Sequence, residues 1–397
     1  MNIITDTEAL AAFCEECAKH PYVTVDTEFL RERTYWPQLC LVQLAHPVDG
    51  DLSSNDGAAI VDPLAEGIDL APLMALMQAP NTVKVFHAAR QDIEIFWKLS
   101  GQIPAPFFDT QVAAMVCGYG DQVGYETLVR KIASAKLDKS SRFTDWARRP
   151  LTDKQLDYAI ADVTHLRRIY ETLDKRLKKS GRAAWVLEEM RALTSEDTYR
   201  NDPEEAWRRV KTRSSDGRFL AVVKALAKWR EARAQEKDIP RSRLMKDDAL
   251  LEVASNRPKD MDELGRSRLL LREARKGDAA EGILAAVAEG EAGPEVAPEK
   301  RAGGGPAKPG AGALTDLLKV LLKARADEIG VAQKLLASSD DLTRIANEDA
   351  PDVPAMSGWR RAAFGELAMQ LKTGRIALSA NSNGIEIVEF EDEEEEA

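Results

Sequence analysis

The sequence predicts an α/β domain with a mixed sheet and flanking helices, followed by two small all-helical domains. Three observations support this. Strand-like segments crowd the first ninety residues and helical periods interleave from there to about residue 200. Beyond residue 200 the strand pattern stops. And one helical stretch recurs about 92 residues further on, without a gap.

The elements follow in order. Thr5 and Glu8 are spaced as a capping box and open a first helix, which Pro21 closes. YVTVDTEF (22–29), LCLVQLA (39–45), AAIVDP (58–63) and TVKVFHA (82–88) read as strands. Helices are expected near 69–78, 90–99, 109–118 and 124–134. A long helix starts behind the capping box Thr152-x-x-Gln155 and runs to about Lys178. The α/β domain spans 1–200. In the repeat, Ala232-Arg233-Ala234 meets Ala324-Arg325-Ala326, Leu244 meets Leu336, and Val253-Ala254 meets Ile345-Ala346. It predicts helical domains at 204–288 and 314–380. The Gly/Pro/Ala-rich segment 289–313 between them reads as a flexible linker that lets the second unit move. An acidic, disordered tail is expected over 386–397.

Composition bounds the function. No apolar run of the 397 residues is long enough to span a membrane, and MNIITDTEALAAF lacks the basic start of a signal peptide. Cys14, Cys17, Cys40 and Cys117 are expected to be reduced core residues of a cytoplasmic protein. The Cys14-x-x-Cys17 pair lies in a helical run, which argues against a redox or zinc site. The net charge of −11 argues against a nucleic-acid partner, but its distribution does not. Residues 204–246 hold 13 Lys/Arg against 6 Asp/Glu, whereas the last twelve residues hold 8 acids and no base.

The chemistry centres on Asp26 and Glu28. Side chains two apart leave a strand on the same face, so two like charges point the same way. Alone, the pair reads as a solvated strand end. Asp92 follows a later strand, in the first turn of a helix, where a carboxylate commonly serves the helix dipole. Tyr158 and Asp162 share one face of the long helix, with small Ala159 and Ala161 between them allowing a close approach. If the three segments converge, four carboxylates share one site and require divalent cations; oxygen ligands suit Mg²⁺ or Mn²⁺. Two such ions form the usual clamp on a phosphodiester.

The order and wording of these segments resemble the DEDD exonuclease superfamily, tyrosine branch. VDTEFLRERTYWPQLCLVQLA, FHAARQDIEIF, FDTQVAAM and TDWARRPLTDKQLDYAIADV are similar to the ribonuclease D family. WREARAQEKDIPRSRLMKDDALLEVA resembles the HRDC domain that follows the nuclease there; the second copy lacks the PRS-R words and is a divergent relative. The resemblance implies a ribonuclease H-like 3′–5′ exonuclease domain and an exoribonuclease that releases nucleoside 5′-monophosphates from RNA 3′ ends. tRNA precursors and other small structured RNAs are the implied partners, two Mg²⁺ or Mn²⁺ ions the cofactors, and a monomer the implied state. Asp26 would bridge both ions, Glu28 and Asp162 would complete the one that holds the attacking water, and Asp92 would hold the second. Tyr158 would orient that water. Phe29 and Trp146 are the candidates for gripping terminal bases, Arg148 and Arg149 for backbone phosphates. Asp109 is expected to cap a helix and His165 to be structural. A DNA 3′–5′ exonuclease and a non-catalytic RNA-binding scaffold are the alternatives.

Overall fold

The computed structural model describes residues 1–138, 144–298, 308–382 and 384–390. The nuclease domain runs β1 (Asn2–Ile4), α1 (Thr7–Ala18), β2 (Tyr22–Leu30), β3 (Gln38–Ala45), β4 (Ala58–Val61), α2 (Ala71–Met77), β5 (Val83–Phe86), α3 (Arg90–Ser100), β6 (Phe107–Asp109), α4 (Thr110–Val116), α5 (Tyr125–Leu128), α6 (Asp153–Ser180) and α7 (Ala183–Thr194). Its sheet has the order β1-β4-β3-β2-β5-β6. Strand β3 is antiparallel to β2 and β4, while β2–β5, β5–β6 and β1–β4 are parallel. The sheet is thus mixed, and β2 runs through its interior.

Strands β1 and β6, three residues each, escape the sequence pattern because periodicity needs a longer run. The expected capping box at Thr5 is also absent. Asp6 is the cap instead, accepting from Ala9 N at 2.9 Å. At α6 the box forms as expected, with Thr152 and Gln155 each capping the other's backbone.

Helix α6 lies across one face of β2, β3 and β4. Ala159, Ile160 and Val163 are buried there with Leu41, Ala45, Ile60 and Trp146. Burying each large aliphatic side chain contributes about 1.5–3 kcal/mol. Polar pins set its position: Thr24 Oγ1 donates to Val163 O (2.9 Å) and Ala45 O (3.0 Å). The fully buried Arg167 donates to His46 O and Asp56 O, both at 2.9 Å.

The helical half continues with α8 (Gly217–Lys237), α9 (Arg241–Leu244), α10 (Asp247–Asn256), α11 (Met261–Gly265) and α12 (Gly277–Ala292). A second series follows: α13 (Ala311–Ile329), α14 (Gln333–Leu336), α15 (Ser339–Asn347), α16 (Gly358–Arg360) and α17 (Glu366–Lys372). The 92-residue offset carries the C-cap of α8, left-handed Asp238, onto the C-cap of α13, left-handed Gly330. It also carries α9 onto α14.

Three expectations need correction. Both ends of the 289–313 linker belong to helices, α12 up to Ala292 and α13 from Ala311; residues 299–307 lie outside the described residues. The acidic tail does not begin at 386, because Gly384–Glu389 forms β8, antiparallel to β7 (Ile376–Asn381). GIEIVE alternates apolar and acidic residues, so its charge count hides a strand; residues 391–397 lie outside the described residues. The C-terminal unit is therefore helical with a hairpin, not all-helical. Finally, the second helical unit is docked. Its Leu318, Leu336 and Phe364 share one core with the nuclease domain, whereas the first unit has a core of its own. Trp359 stacks on Trp185 at 4.2 Å and 10°, and Arg360 and the Trp359 indole both donate to Glu189. Ala332 N donates to Met115 O at 3.0 Å, and a Cβ on the left-handed Gly118 would lie 2.5 Å from Gly330 O.

Candidate active site

Asp26 and Glu28 leave β2 on the face that α6 covers. A bulge between Glu28 and Phe29 shifts the register with β3, which then pairs Phe29 with Leu39 and Leu30 with Gln38. Asp162 comes down from α6. Oxygens of Asp26, Glu28 and Asp162 all lie within 4.8 Å of one another. Asp92, in the first turn of α3, stands outside that trio but close by. It is 7% exposed and accepts from Thr27 Oγ1, the residue between the two β2 carboxylates. Three distant segments thus converge: three of the four expected carboxylates form one trio, and Asp92 lies beside it.

Their electrostatics record the crowding. Burial pushes Asp26 well above the usual carboxylate range, and the charges of Asp162, Asp92 and Glu28 push it further. Burial, then Asp162 and Asp92, raise Glu28 to about 9. Asp92 is raised to about 7, mainly by burial. The three trio members keep partly exposed surfaces although protein surrounds most of each carboxylate, the condition of a ligand set open on one side. Opposing all this charge with a divalent cation is what the donor set fits: oxygen only, with no histidine or cysteine in the trio.

Neighbouring groups hold the carboxylates in place. Asp109 caps α4 through Gln111 N (2.7 Å) and also accepts from Ala88 N (3.1 Å) and Ala89 N (2.9 Å). It therefore anchors the left-handed Ala88 turn that aims α3 and Asp92 at the site. Arg31 grips Glu94 of α3 with two bonds, 2.7 and 2.9 Å, tying the end of β2 to α3. Tyr125 is a site neighbour that the sequence reading missed. Its hydroxyl donates to Ala161 O at 3.0 Å, beside Asp162, and burial followed by the charges of Asp162 and Asp26 raises its pKa. No motif marks it; only the fold brings α5 to α6.

The remaining candidates divide. Tyr158 is half-buried one turn before Asp162, its ring 6.1 Å from that of Trp146. Phe29 is half-buried and lines a cleft of about 720 Å³ with Glu28, Arg31, Gln38 and Trp146. Arg148 is exposed at the start of the segment leading into α6. Trp146 itself is 3% exposed and packed under α6, so it supports Tyr158 and offers the cleft little surface for a base. Arg149 is also reassigned: it binds Asp62 (Nε 2.6 Å, Nη2 2.7 Å) and the carbonyls of Trp146 (2.7 Å) and Cys40 (2.8 Å), leaving its donors spent on structure. His165 is half-buried, its pKa lowered by burial, as suits a structural residue. The four cysteines are buried free thiols, and burial raises Cys14 to about 12, which makes it unreactive.

A family profile described as 3′-5′ exonuclease matches residues 1–178, and the HRDC domain profile matches 219–287. Ribonuclease D of Jannaschia sp. is 56% identical over 388 residues, covering 98% of this chain and 99% of its own. The chain belongs to the ribonuclease D family. Ribonuclease D of Granulibacter bethesdensis is 50% identical over 98% of this chain and 96% of its own. Among solved structures, Escherichia coli RNase D, described as an exoribonuclease involved in structured RNA processing, superposes with a TM-score of 0.78 at 32% identity, covering 94% of this chain and 99% of that one. The catalytic core of RRP6 from Trypanosoma brucei, at 24% identity and TM-score 0.55, shares the fold. As a member of the ribonuclease D family the chain is a 3′–5′ exoribonuclease, with the nuclease domain followed by an HRDC domain. Among the described residues no helix is long and apolar enough to cross a membrane.

Proposed function

We propose that this chain removes nucleotides singly from the 3′ ends of tRNA precursors and other small structured RNAs, using two Mg²⁺ or Mn²⁺ ions and releasing nucleoside 5′-monophosphates. The observation that carries this reading is the meeting of Asp26, Glu28 and Asp162 within 4.8 Å, beside Asp92. Bound cations would lower the pKa of the attacking water and take up charge on the phosphate and the leaving 3′ oxygen. Asp26 would serve both ions, Glu28 and Asp162 the first, and Asp92 the second. Phe29 would stack on the terminal base at the cleft mouth. The chain would act as a cytoplasmic monomer, since one copy supplies all four carboxylates and Tyr158. Digesting 3′- and 5′-labelled single-stranded RNA and DNA with Mg²⁺, Mn²⁺ or EDTA tests the reading. Mononucleotides should leave the 3′ label of RNA first, DNA should lag, and EDTA should stop both. Activity that survives EDTA would refute it.

Tyr158 would orient the water and help take its proton, without holding metal. Tyr158→Phe should lower kcat by about 10²–10⁴-fold, the range for a general acid–base group, and leave KM for RNA nearly unchanged. A raised KM with normal kcat would make Tyr158 a substrate contact.

The basic segment 204–246 is a narrower RNA surface than its charge suggests, because much of it is paired within the fold. Lys228 meets Glu204, Arg230 meets Asp247, Arg233 meets Asp278, and Arg209 and Arg241 meet Glu231. Lys211 and Arg213 instead line a cleft of about 750 Å³ with Trp207, Thr212, Ser214 and Ser215, a basic, hydroxyl-rich wall with one aromatic. Replacing both bases by Gln should flatten the log–log salt dependence of single-stranded RNA affinity by about 0.7 per lost phosphate contact. An unchanged slope would place the RNA elsewhere.

A further inference from the structure

Gln43 faces Asp26. The two are direct partners across the antiparallel β2–β3 pair, so their side chains leave the sheet on the same face. Leu41 and Ala45, two residues to either side of Gln43, pack under α6, which makes this the face from which Asp162 approaches. Gln43 is 0% exposed, and neither its Nε2 nor its Oε1 has a hydrogen-bond partner. A primary amide offers two donors and a carbonyl acceptor, and a fold seldom buries one without use for it. An aliphatic side chain would fill the position without that cost. The role of this amide therefore belongs to the loaded site beside it, not to the folding of the sheet.

We propose that Gln43 is a positioning residue of the cation site: its amide N–H donates to the Asp26 carboxylate when divalent cations draw Asp26, Glu28 and Asp162 together, and so fixes which Asp26 oxygen faces each ion. A carboxylate serving two cations must present one oxygen to each, and rotation about its terminal torsion is broad without an external donor. A donor across the strand pair supplies that restraint. Groups behind metal ligands commonly act this way, and losing one weakens metal affinity about 10–100-fold. The inference rests on the two-cation reading above.

The test is titration of the full chain with Mn²⁺ alone, reading free Mn²⁺ by electron paramagnetic resonance and thermal melting in parallel. Gln43→Met should melt at or above the wild-type temperature without cation, since the lost amide makes no bond in the fold. Its Mn²⁺ half-saturation should rise about 10–100-fold. Gln43→Asn, which keeps the amide but draws it back by one methylene, should bind Mn²⁺ as weakly. Wild-type Mn²⁺ affinity in Gln43→Met would overturn the proposal, and so would a lowered cation-free melting temperature with affinity intact, which marks a purely structural residue. Should Gln43→Met fail to fold, wild-type affinity in Gln43→Asn overturns it. A wild-type chain that binds no Mn²⁺ would instead sink the two-cation reading itself.

Discussion

Asp26→Asn and Asp162→Asn should each cut nucleotide release by about a thousandfold or more while the protein stays folded. The cation-held charge stabilisation that each supports is worth several kcal/mol, at about 1.36 kcal/mol per decade of rate. The cation-free stability should move the other way. In the folded wild type, burial and mutual repulsion raise Glu28 to about 9 and Asp92 to about 7, against about 4 in the unfolded chain. Folded protein then binds more protons than unfolded protein, so stability falls as pH rises between about 4 and 9. Asp26→Asn removes one of the repelling charges and should melt higher than wild type above pH 7 in EDTA. Saturating Mg²⁺ should reverse that order, because only the wild type gains from the cation. Melting curves at pH 5 and 8, with and without Mg²⁺, decide the matter. A variant less stable than wild type in EDTA at pH 8 would mean that the carboxylates are held by bonds other than those to cations.

Glu231→Ala should destabilise the chain by about 3–5 kcal/mol and also lower nuclease activity, although the residue lies in the HRDC domain. Glu231 is 1% exposed on α8, accepts from Arg241 (Nη2 2.5 Å) and the Tyr35 hydroxyl, and forms an ion pair with Arg209 (3.0 Å). Burial pushes its pKa up, but the bonds from Arg241 and Tyr35 outweigh it and hold Glu231 below the usual range. Arg241 lies 4.7 Å over the Tyr35 ring, and Asp238 accepts from the backbone N–H of Tyr35 and Trp36 at 3.0 Å each. The HRDC domain therefore holds the segment that follows β2, whose Arg31, Glu32, Arg33 and Thr34 line the cleft beside Glu28. Freeing that segment should cost about 10²-fold in kcat/KM, the scale of an ångström-sized misplacement. Tyr35→Phe, which loses one hydroxyl and keeps the ring, should cost about 1 kcal/mol. Denaturant unfolding with parallel RNA digestion reads both. Full activity in a destabilised Glu231→Ala would show that the cluster joins the domains without shaping the site.

The five catalytic candidates were legible as residues before any coordinates. D-x-E on a strand, Asp after a later strand and Tyr-x-x-x-Asp on a helix use the local periods 2 and 3.6, which adjacent residues set by themselves. The same locality made α6 and its capping box readable, and the repeated helices too. What sequence could not assign was the use of each charge. Arg149 read as a phosphate ligand, yet Asp62 takes it, 87 positions away in the chain. Trp146 read as a stacking platform, but α6 covers it. Tyr125 and Gln43 carried no signal, because their meaning depends on lying beside Asp162 and opposite Asp26.

Local periodicity, composition and motif order, with the family resemblance they carry, thus determined the domain order, the candidate carboxylates and the class of chemistry. Only the tertiary structure decided which basic and aromatic side chains are engaged within the fold, that both helical units brace the nuclease, and which buried polar groups lie beside the carboxylates. The physical reason is that a side chain's partner is chosen by long-range packing, where burial makes every unpaired charge or amide costly enough to fix its neighbour.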